Sequence, residues 1–331
     1  MSVAVLGAGA WGTALAASLV RAGHDVALWG RDASVIDEIA RRRTNSRYLG
    51  DATVPEGITA TTNIAGALDG AAIVLSVVPV AATAQALADA ADHLSPDGSI
   101  VLCAKGIAPN EGLDGEPLLP SAIARAAVRS IAPERIGALS GPSFAADVAR
   151  GLPTAVSLAM PDRAEAARVA AALSSPTLRC YATDDLRGVE LGGALKNVIA
   201  IGAGIARGRA LGASAHAALF TRGHAEMTRI AVALGARAET LSGLSGLGDL
   251  LLTASSEQSR NFAYGFALGR GEAPRSATVE GVRTATTTAA LVRTHGLRAP
   301  IIDALDAILY RGADIDRTIA ALLERPVPSE E

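Results

Sequence analysis

Along the first 185 residues, short runs of β-branched and other apolar residues alternate with stretches whose apolar positions recur at helical spacing. The runs at 2–6, 25–29, 72–78, 99–103, 136–140, 154–158 and 177–181 read as strands. Helical patterns, many of them alanine-rich, fill most of the gaps. Strand–helix alternation of this kind specifies a mostly parallel, doubly wound sheet covered by helices. From about Gly188 the strand signal stops. The rest of the chain reads as helices punctuated by glycine, at 188–206, 214–234, 239–252, 259–268, 282–295, 299–310 and 315–324. The pattern therefore predicts an α/β domain over residues 1–186 and a second, all-helical domain over 187–331.

The first strand runs directly into Gly7-Ala8-Gly9-Ala10-Trp11-Gly12, which opens a helix. A bare G-x-G-x-x-G says little in a chain with 34 glycines. Between a strand and a helix, near the start of a βαβ unit, it becomes a dinucleotide fingerprint and makes the domain Rossmann-like. Gly7 allows the tight turn and Gly9 the close approach of a pyrophosphate. Gly12 lets the helix pack on its strand with its N-terminus toward the phosphates. The second strand ends at Gly30-Arg31 rather than at an acidic residue. Arg31 can face a 2′-phosphate, so the expected coenzyme is NADP or NAD, with NADPH favoured. The basic run Arg41-Arg42-Arg43 with Arg47 reads as a solvated helix end near that phosphate.

Composition narrows the class. A chain of 331 residues, 50% hydrophobic and 19% charged, has the length of two domains and is not intrinsically disordered. Its net charge of −3 lacks the basic surplus of a nucleic-acid partner. No apolar run reaches the roughly 18–20 residues that span a bilayer, and the N-terminus has no basic leader, so a cytoplasmic protein without a membrane partner is expected. Two distant cysteines, Cys103 and Cys180, suit a reducing compartment. Five scattered histidines show no ligand spacing, so no metal is expected.

Lysine usage is the most pointed signal. Of 30 basic residues only Lys105 and Lys196 are lysines; the other 28 are arginines. Arginine replaces lysine as a surface cation but cannot release its proton, whereas a desolvated lysine can act as acid or base. Both lysines lie in or beside apolar stretches, Lys105 just after the 99–103 run and Lys196 within Gly192-Gly193-Ala194-Leu195-Lys196-Asn197. A helix over 188–206 puts Gly192, Lys196 and Ala200 on one face.

Several segments resemble the bacterial-type NAD(P)-dependent glycerol-3-phosphate dehydrogenases. They are Ala104-Lys105-Gly106, Ser140-Gly141-Pro142-Ser143-Phe144-Ala145, and the run from Leu191 through Lys196-Asn197 to Ala200. Thr221-Arg222-Gly223, Gly246-Leu247-Gly248-Asp249-Leu250, Gln258-Ser259-Arg260-Asn261 and Val279-Glu280-Gly281 complete the series, collinear from residue 2 to about residue 325. The resemblance implies reversible hydride transfer between dihydroxyacetone phosphate and sn-glycerol 3-phosphate, in service of glycerophospholipid synthesis, by a homodimer. It implies that Lys196 is the proton donor and acceptor, with Asn197, Asp249 and Thr253 as the polar shell around it. Lys105 is implied as a second amine touching substrate and coenzyme. Ser259, Arg260 and Asn261 are implied as the substrate-phosphate clamp, Arg260 also touching coenzyme, and Gly141 and Ser143 as a substrate-side loop. Ala10, Trp11, Arg31, Ala145 and Glu280 are implied as coenzyme contacts beside Gly7, Gly9 and Gly12.

The chain departs from the family pattern at Ala10, where serine is frequent, at Ser214 and at Arg207-Gly208. Phe262 stands where a basic residue is common, a change expected to alter contacts to the coenzyme phosphate. Two-domain reductases of the 3-hydroxyacid dehydrogenase or ketopantoate type share the glycine turn and a lysine-bearing helical domain, but they do not predict the Ser259-Arg260-Asn261 cluster.

Overall fold

The computed structural model describes residues 1–109, 116–274 and 279–324. Strands β1 (Ser2–Leu6), β2 (Asp25–Trp29), β3 (Ile58–Thr61), β4 (Ile73–Ser76), β5 (Ser99–Leu102), β6 (Ile136–Ser140), β7 (Thr154–Ala159) and β8 (Leu178–Thr183) form one sheet in the order β3-β2-β1-β4-β5-β6-β7-β8. All neighbours run parallel except β6 and β7. Val3, Ala4, Val5 and Leu6 are fully buried. Helices cover both faces of a parallel sheet, so its central strands read as continuous apolar runs rather than alternating ones. Strand order reverses between β1 and β4, and the carboxyl ends of strands at such a reversal open a crevice for ligands.

One strand has no counterpart in the sequence pattern. β3 is the four residues Ile-Thr-Ala-Thr at the sheet edge, none of them fully buried. A short, half-exposed edge strand needs little apolar surface, so it leaves no hydrophobic signature. The opposite edge, β8, is blunted locally: Cys180 N donates to Ser174 Oγ (3.0 Å), and Leu178 O accepts from Ser175 N (2.7 Å).

Past Asp185 every regular element among the described residues is a helix. The central helix, Leu186–Gly208, is buried at every position from Gly188 to Ala206. It is the one described helix long and apolar enough to cross a bilayer, and that apolar stretch lies wholly inside the protein. A helix apolar on all sides is what a core position requires. Around it pack Gly212–Ala233, Asp249–Ala254, Arg260–Gly269, Glu280–Thr294 and Pro300–Tyr310. The closest approach is to Arg260–Gly269, where glycines let backbones touch. A Cβ on Gly204 would sit 2.1 Å from Phe262 O, and one on Gly265 would sit 2.0 Å from Ile201 O. Gly265→Ala therefore forces the two helices apart. We expect a loss of about 1–3 kcal/mol in stability, read as a lower Tm. A rise in KM for a phosphorylated substrate should accompany it, because the displaced helix begins at Arg260.

The single helix expected over 239–252 is instead Ala238–Leu241, a π-type turn at Leu244–Gly248, and Asp249–Ala254. Glycine is the cause. A Cβ on Gly246 would lie 2.0 Å from Leu241 O, and Gly248 N donates to Gly243 O (3.0 Å), a five-residue span. The break starts a fresh helical turn at Asp249, whose side chain enters the interior.

Candidate active site

A cleft of about 820 Å³ lies at the carboxyl ends of the parallel strands and extends to the helical half. At one end is the glycine turn. Gly7 has φ +121°, and a Cβ there would lie 2.7 Å from Val77 O, so only glycine makes this bend. A Cβ on Gly12 would lie 1.8 Å from Gly7 O; Gly12 seats the helix and does not itself line the cleft. Gly9 faces open space, where a Cβ would meet no atom within 4 Å.

The helix that follows, Ala10–Arg21, has no side-chain cap and no acidic residue in its first turn. Its first N–H groups lack partners within the helix and sit at the positive end of the dipole. Trp11 lines the cleft, and its buried Nε1 has no partner. Uncapped N–H groups, an open glycine and an orphaned indole donor fit the pyrophosphate of a dinucleotide. Ala10 offers only its backbone there. Beyond the end of β2, Arg31 is exposed on the cleft wall beside Arg47 and Tyr48. Asp32, the nearest carboxylate, is committed elsewhere: it caps the next helix at Ser34 N (3.0 Å) and pairs with Arg47 (3.0 Å).

The two lysines meet deeper in the cleft, on one carboxylate. Asp249 Oδ1 accepts from Lys196 Nζ (2.9 Å), and Oδ2 accepts from Lys105 Nζ (2.7 Å). Lys196 also donates to Thr253 Oγ1 (2.6 Å), and Lys105 to Gly141 O (3.1 Å). Helical spacing puts Asp249 and Thr253 one turn apart on the same face. Asp249 is 1% exposed. Burial pushes its carboxyl up, but the ammonium groups of Lys105 and Lys196 outweigh burial and hold it below the usual carboxylate range. Burial brings Lys196 down to about 8 against the pull of Asp249. An amine poised near neutrality suits proton transfer in either direction.

Asn197 donates to Lys105 O (2.9 Å) and accepts from Asn261 Nδ2 (2.8 Å); Asn261 Oδ1 in turn accepts from Gly281 N (3.0 Å). Ser259 is the N-cap of Arg260–Gly269, its Oγ accepting from Phe262 N (3.3 Å). The other first-turn N–H groups are left for an anion, beside the exposed Arg260, which makes no ion pair among the described residues. Ser143 and Ala145 line the cleft, whereas Gly141 lies behind it at φ +147° and presents its carbonyl to Lys105 and Ser143. Glu280 lines the cleft and accepts from Val80 N (3.3 Å). Its burial raises its carboxyl above the ordinary range, partly offset by the N–H groups of Val80 and Lys105.

Phe262 does not reach the cleft. It is 4% exposed, packed between His216 and Phe266, so the expected effect on coenzyme-phosphate contacts is replaced by a core role. Sequence reasoning missed Asp32, Tyr48, Val77, Val78 and Pro79, all on the cleft wall. The last three follow the carboxyl end of β4, and their place beside the first strand is the signal that could have found them. Two other buried carboxyls, Glu190 and Glu226, are pushed up by burial to about 7, but both lie outside this cleft and accept N–H groups at helix starts. No cluster of three or more His, Cys, Asp or Glu among the described residues is arranged to hold a metal.

Comparison with known proteins agrees along the whole chain. Residues 2–166 match the family described as NAD-dependent glycerol-3-phosphate dehydrogenase N-terminus, and residues 185–320 the corresponding C-terminus. A glycerol-3-phosphate dehydrogenase (NAD(P)+) of Brucella canis is 53% identical over 331 residues, covering 99% of each chain. One from a Chelativorans species is 52% identical over 330 residues, covering 99% of this chain and 98% of its own. The crystal structure of the Coxiella burnetii glycerol-3-phosphate dehydrogenase superposes with a TM-score of 0.89 at 35% identity, covering 98% of this chain and 99% of that one.

Proposed function

The chain belongs to the NAD-dependent glycerol-3-phosphate dehydrogenase family, and from that premise we propose how its cleft carries out the reaction. It is an NAD(P)-dependent oxidoreductase interconverting dihydroxyacetone phosphate and sn-glycerol 3-phosphate. The observation that carries the residue assignment is that one buried carboxylate, Asp249, is shared by the only two lysines of the chain.

A nicotinamide coenzyme supplies, when bound, the hydride for the carbonyl carbon. Lys196, as the ammonium, holds the proton destined for the carbonyl oxygen and stabilises the negative charge developing there. Asp249 keeps that ammonium charged despite burial, and Thr253 fixes its direction. Lys105 adds a second positive donor on the substrate side, its main chain held by Asn197. Arg260 and the first-turn N–H groups after Ser259 take the substrate phosphate, for which a planar guanidinium fork is well shaped. Asn261 braces Asn197 and Gly281 through its side chain and meets the phosphate through its backbone. Ser143 completes the substrate wall, and Gly141 supports it from behind through its carbonyl, which holds Lys105 and Ser143. Gly7, Gly9, Ala10, Trp11, Gly12, Ala145 and Glu280 form or support the coenzyme wall. In this reading residues 1–186 form the coenzyme-binding domain and 187–331 the domain that carries Lys196, Asp249 and the phosphate clamp. Lys105 and Ser143 reach the substrate from the first, and Glu280 reaches the coenzyme from the second.

We favour NADPH over NADH because Arg31 and Arg47 line the cleft beyond the end of β2 and a guanidinium there can pair with a 2′-phosphate, while Asp32 is committed to Ser34 and Arg47 rather than free for a ribose hydroxyl. Arg31→Ala should raise KM for NADPH by about tenfold, the scale of one charge-assisted contact, and leave KM for NADH within about twofold. Equal effects on both coenzymes would remove Arg31 as a discriminator. A cytoplasmic homodimer feeding glycerophospholipid synthesis extends the same reading; buried thiols at Cys103 and half-buried Cys180 suit a reducing compartment.

The direct test mixes the protein with NADPH and dihydroxyacetone phosphate and follows reduced-coenzyme absorbance. Consumption is expected with the phosphorylated ketone and not with ketopantoate. The reverse pattern would sink the substrate assignment.

A further inference from the structure

Outside the cleft, one fully buried polar side chain connects two of its walls. Asn45 is 0% exposed and does not line the cleft. Its Nδ2 donates to Ala8 O (3.1 Å), inside the glycine turn, and to Thr13 Oγ1 (2.8 Å), in the helix that the turn opens. Its own carbonyl accepts from Tyr48 N (3.1 Å) and Leu49 N (2.8 Å), starting the short helix Ser46–Leu49. Arg47, Tyr48 and Leu49 of that helix, and Ala8 and Gly9 of the turn, all line the cleft.

We propose that Asn45 is a positioning residue of the coenzyme site, locking the Ala8–Gly9 peptide against the Arg47–Leu49 wall so that the Gly9 N–H and the Arg47 side chain are held ready for a dinucleotide. A trans peptide points its carbonyl and its N–H in opposite directions. Holding the Ala8 carbonyl toward the buried Asn45 therefore turns the Gly9 N–H away from Asn45, and a Cβ on Gly9 would meet no atom within 4 Å, so the residue leaves room for a ligand to approach. The amide orientation is dictated by Ala8: only the NH₂ end can face a carbonyl oxygen at 3.1 Å. The other end, Oδ1, is buried without a partner. An unpaired buried acceptor weakens the fold, so the value of an asparagine here lies in what its donor end holds in place.

This inference rests on the reading that the cleft takes NAD(P)(H), and the experiment separates the two. The chain has two tryptophans, Trp11 and Trp29, and both line the cleft, so intrinsic fluorescence titrated with NADPH reports its Kd directly. Absence of any NADPH response in the unaltered protein would strike the coenzyme reading. With that response present, Asn45→Ala should raise Kd and KM for NADPH by about tenfold, the scale of one well-placed hydrogen bond. Asn45→Asp, which sets an oxygen against the Ala8 carbonyl, should raise them further. KM for dihydroxyacetone phosphate and kcat at saturating NADPH should stay within about twofold, since preorganisation of a binding surface is spent on affinity. A lowered melting temperature with unchanged NADPH affinity would make Asn45 a structural residue only and overturn the proposal. Should neither Asn45 variant fold, Thr13→Val decides: a Kd raised about threefold supports the lock, and an unchanged Kd overturns it.

Discussion

Replacing Lys196 with methionine lowers kcat for dihydroxyacetone phosphate reduction by about 10³–10⁴-fold, while NADPH still binds. The size follows from two losses at one atom. Removing a positioned general acid costs about 10²–10⁴-fold, and removing a donor from a developing oxyanion costs about 10²–10³-fold; the two act together and do not multiply in full. Methionine keeps most of the buried stem, and Asp249 retains Lys105 as a partner, so the fold should survive. The pH dependence identifies the residue. With Lys196 at about 8, the ammonium needed for ketone reduction is lost as pH rises through 8, so the reductive rate falls there. Alcohol oxidation needs the free amine and rises over the same interval. Lys196→Met should flatten both limbs. A variant within tenfold of normal turnover, or one that keeps the limb near pH 8, would assign the proton to another group.

How much of this is legible in the chain depends on whether the cause is local. The glycine turn is legible because Gly7 and Gly12 are demanded by backbone contacts within a few residues or with an adjacent strand. The lysines stand out because arginine has replaced every other one, leaving amines only where their chemistry differs from a guanidinium. β3 is invisible because four half-exposed edge residues carry no apolar pattern. The 239–252 region misleads because glycines within a helical rhythm look like tolerated interruptions until Gly246 meets Leu241 O, a contact that forces a wide turn. The resemblance puts Asp249 near Lys196, but nothing in the chain announces that Lys105, 144 residues away, shares the same carboxylate. The bracing of the two walls by Asn45, across 32 and 37 residues, is equally a product of the fold.

That shared carboxylate makes the second large effect. In Asp249→Asn, two amines lose the anion that both of them hold, at a residue that is 1% exposed. The amide oxygen can accept from one lysine, but the amide NH₂ then faces the other, donor against donor. Breaking a buried ion pair from one side costs about 3–5 kcal/mol when the stranded charge has no escape. A lysine does have one, because it can release its proton, so the lower figure is the better guide and Tm should fall by roughly 5–10 °C. Proton release is also what ruins catalysis. Asp249 raises the Lys196 pKa against burial, whereas Lys105 lowers it. Without the carboxylate, Lys196 moves below 8 and is largely neutral at the pH where the normal enzyme still carries its ammonium. Ketone reduction should drop by about 10²–10³-fold near pH 7.5, with its falling limb shifted to the acid side. Part of the lost rate should return as pH is lowered and Lys196 recharges. A limb that stays at its original pH in Asp249→Asn, whatever the drop in rate, would mean that Asp249 places Lys196 without setting its charge.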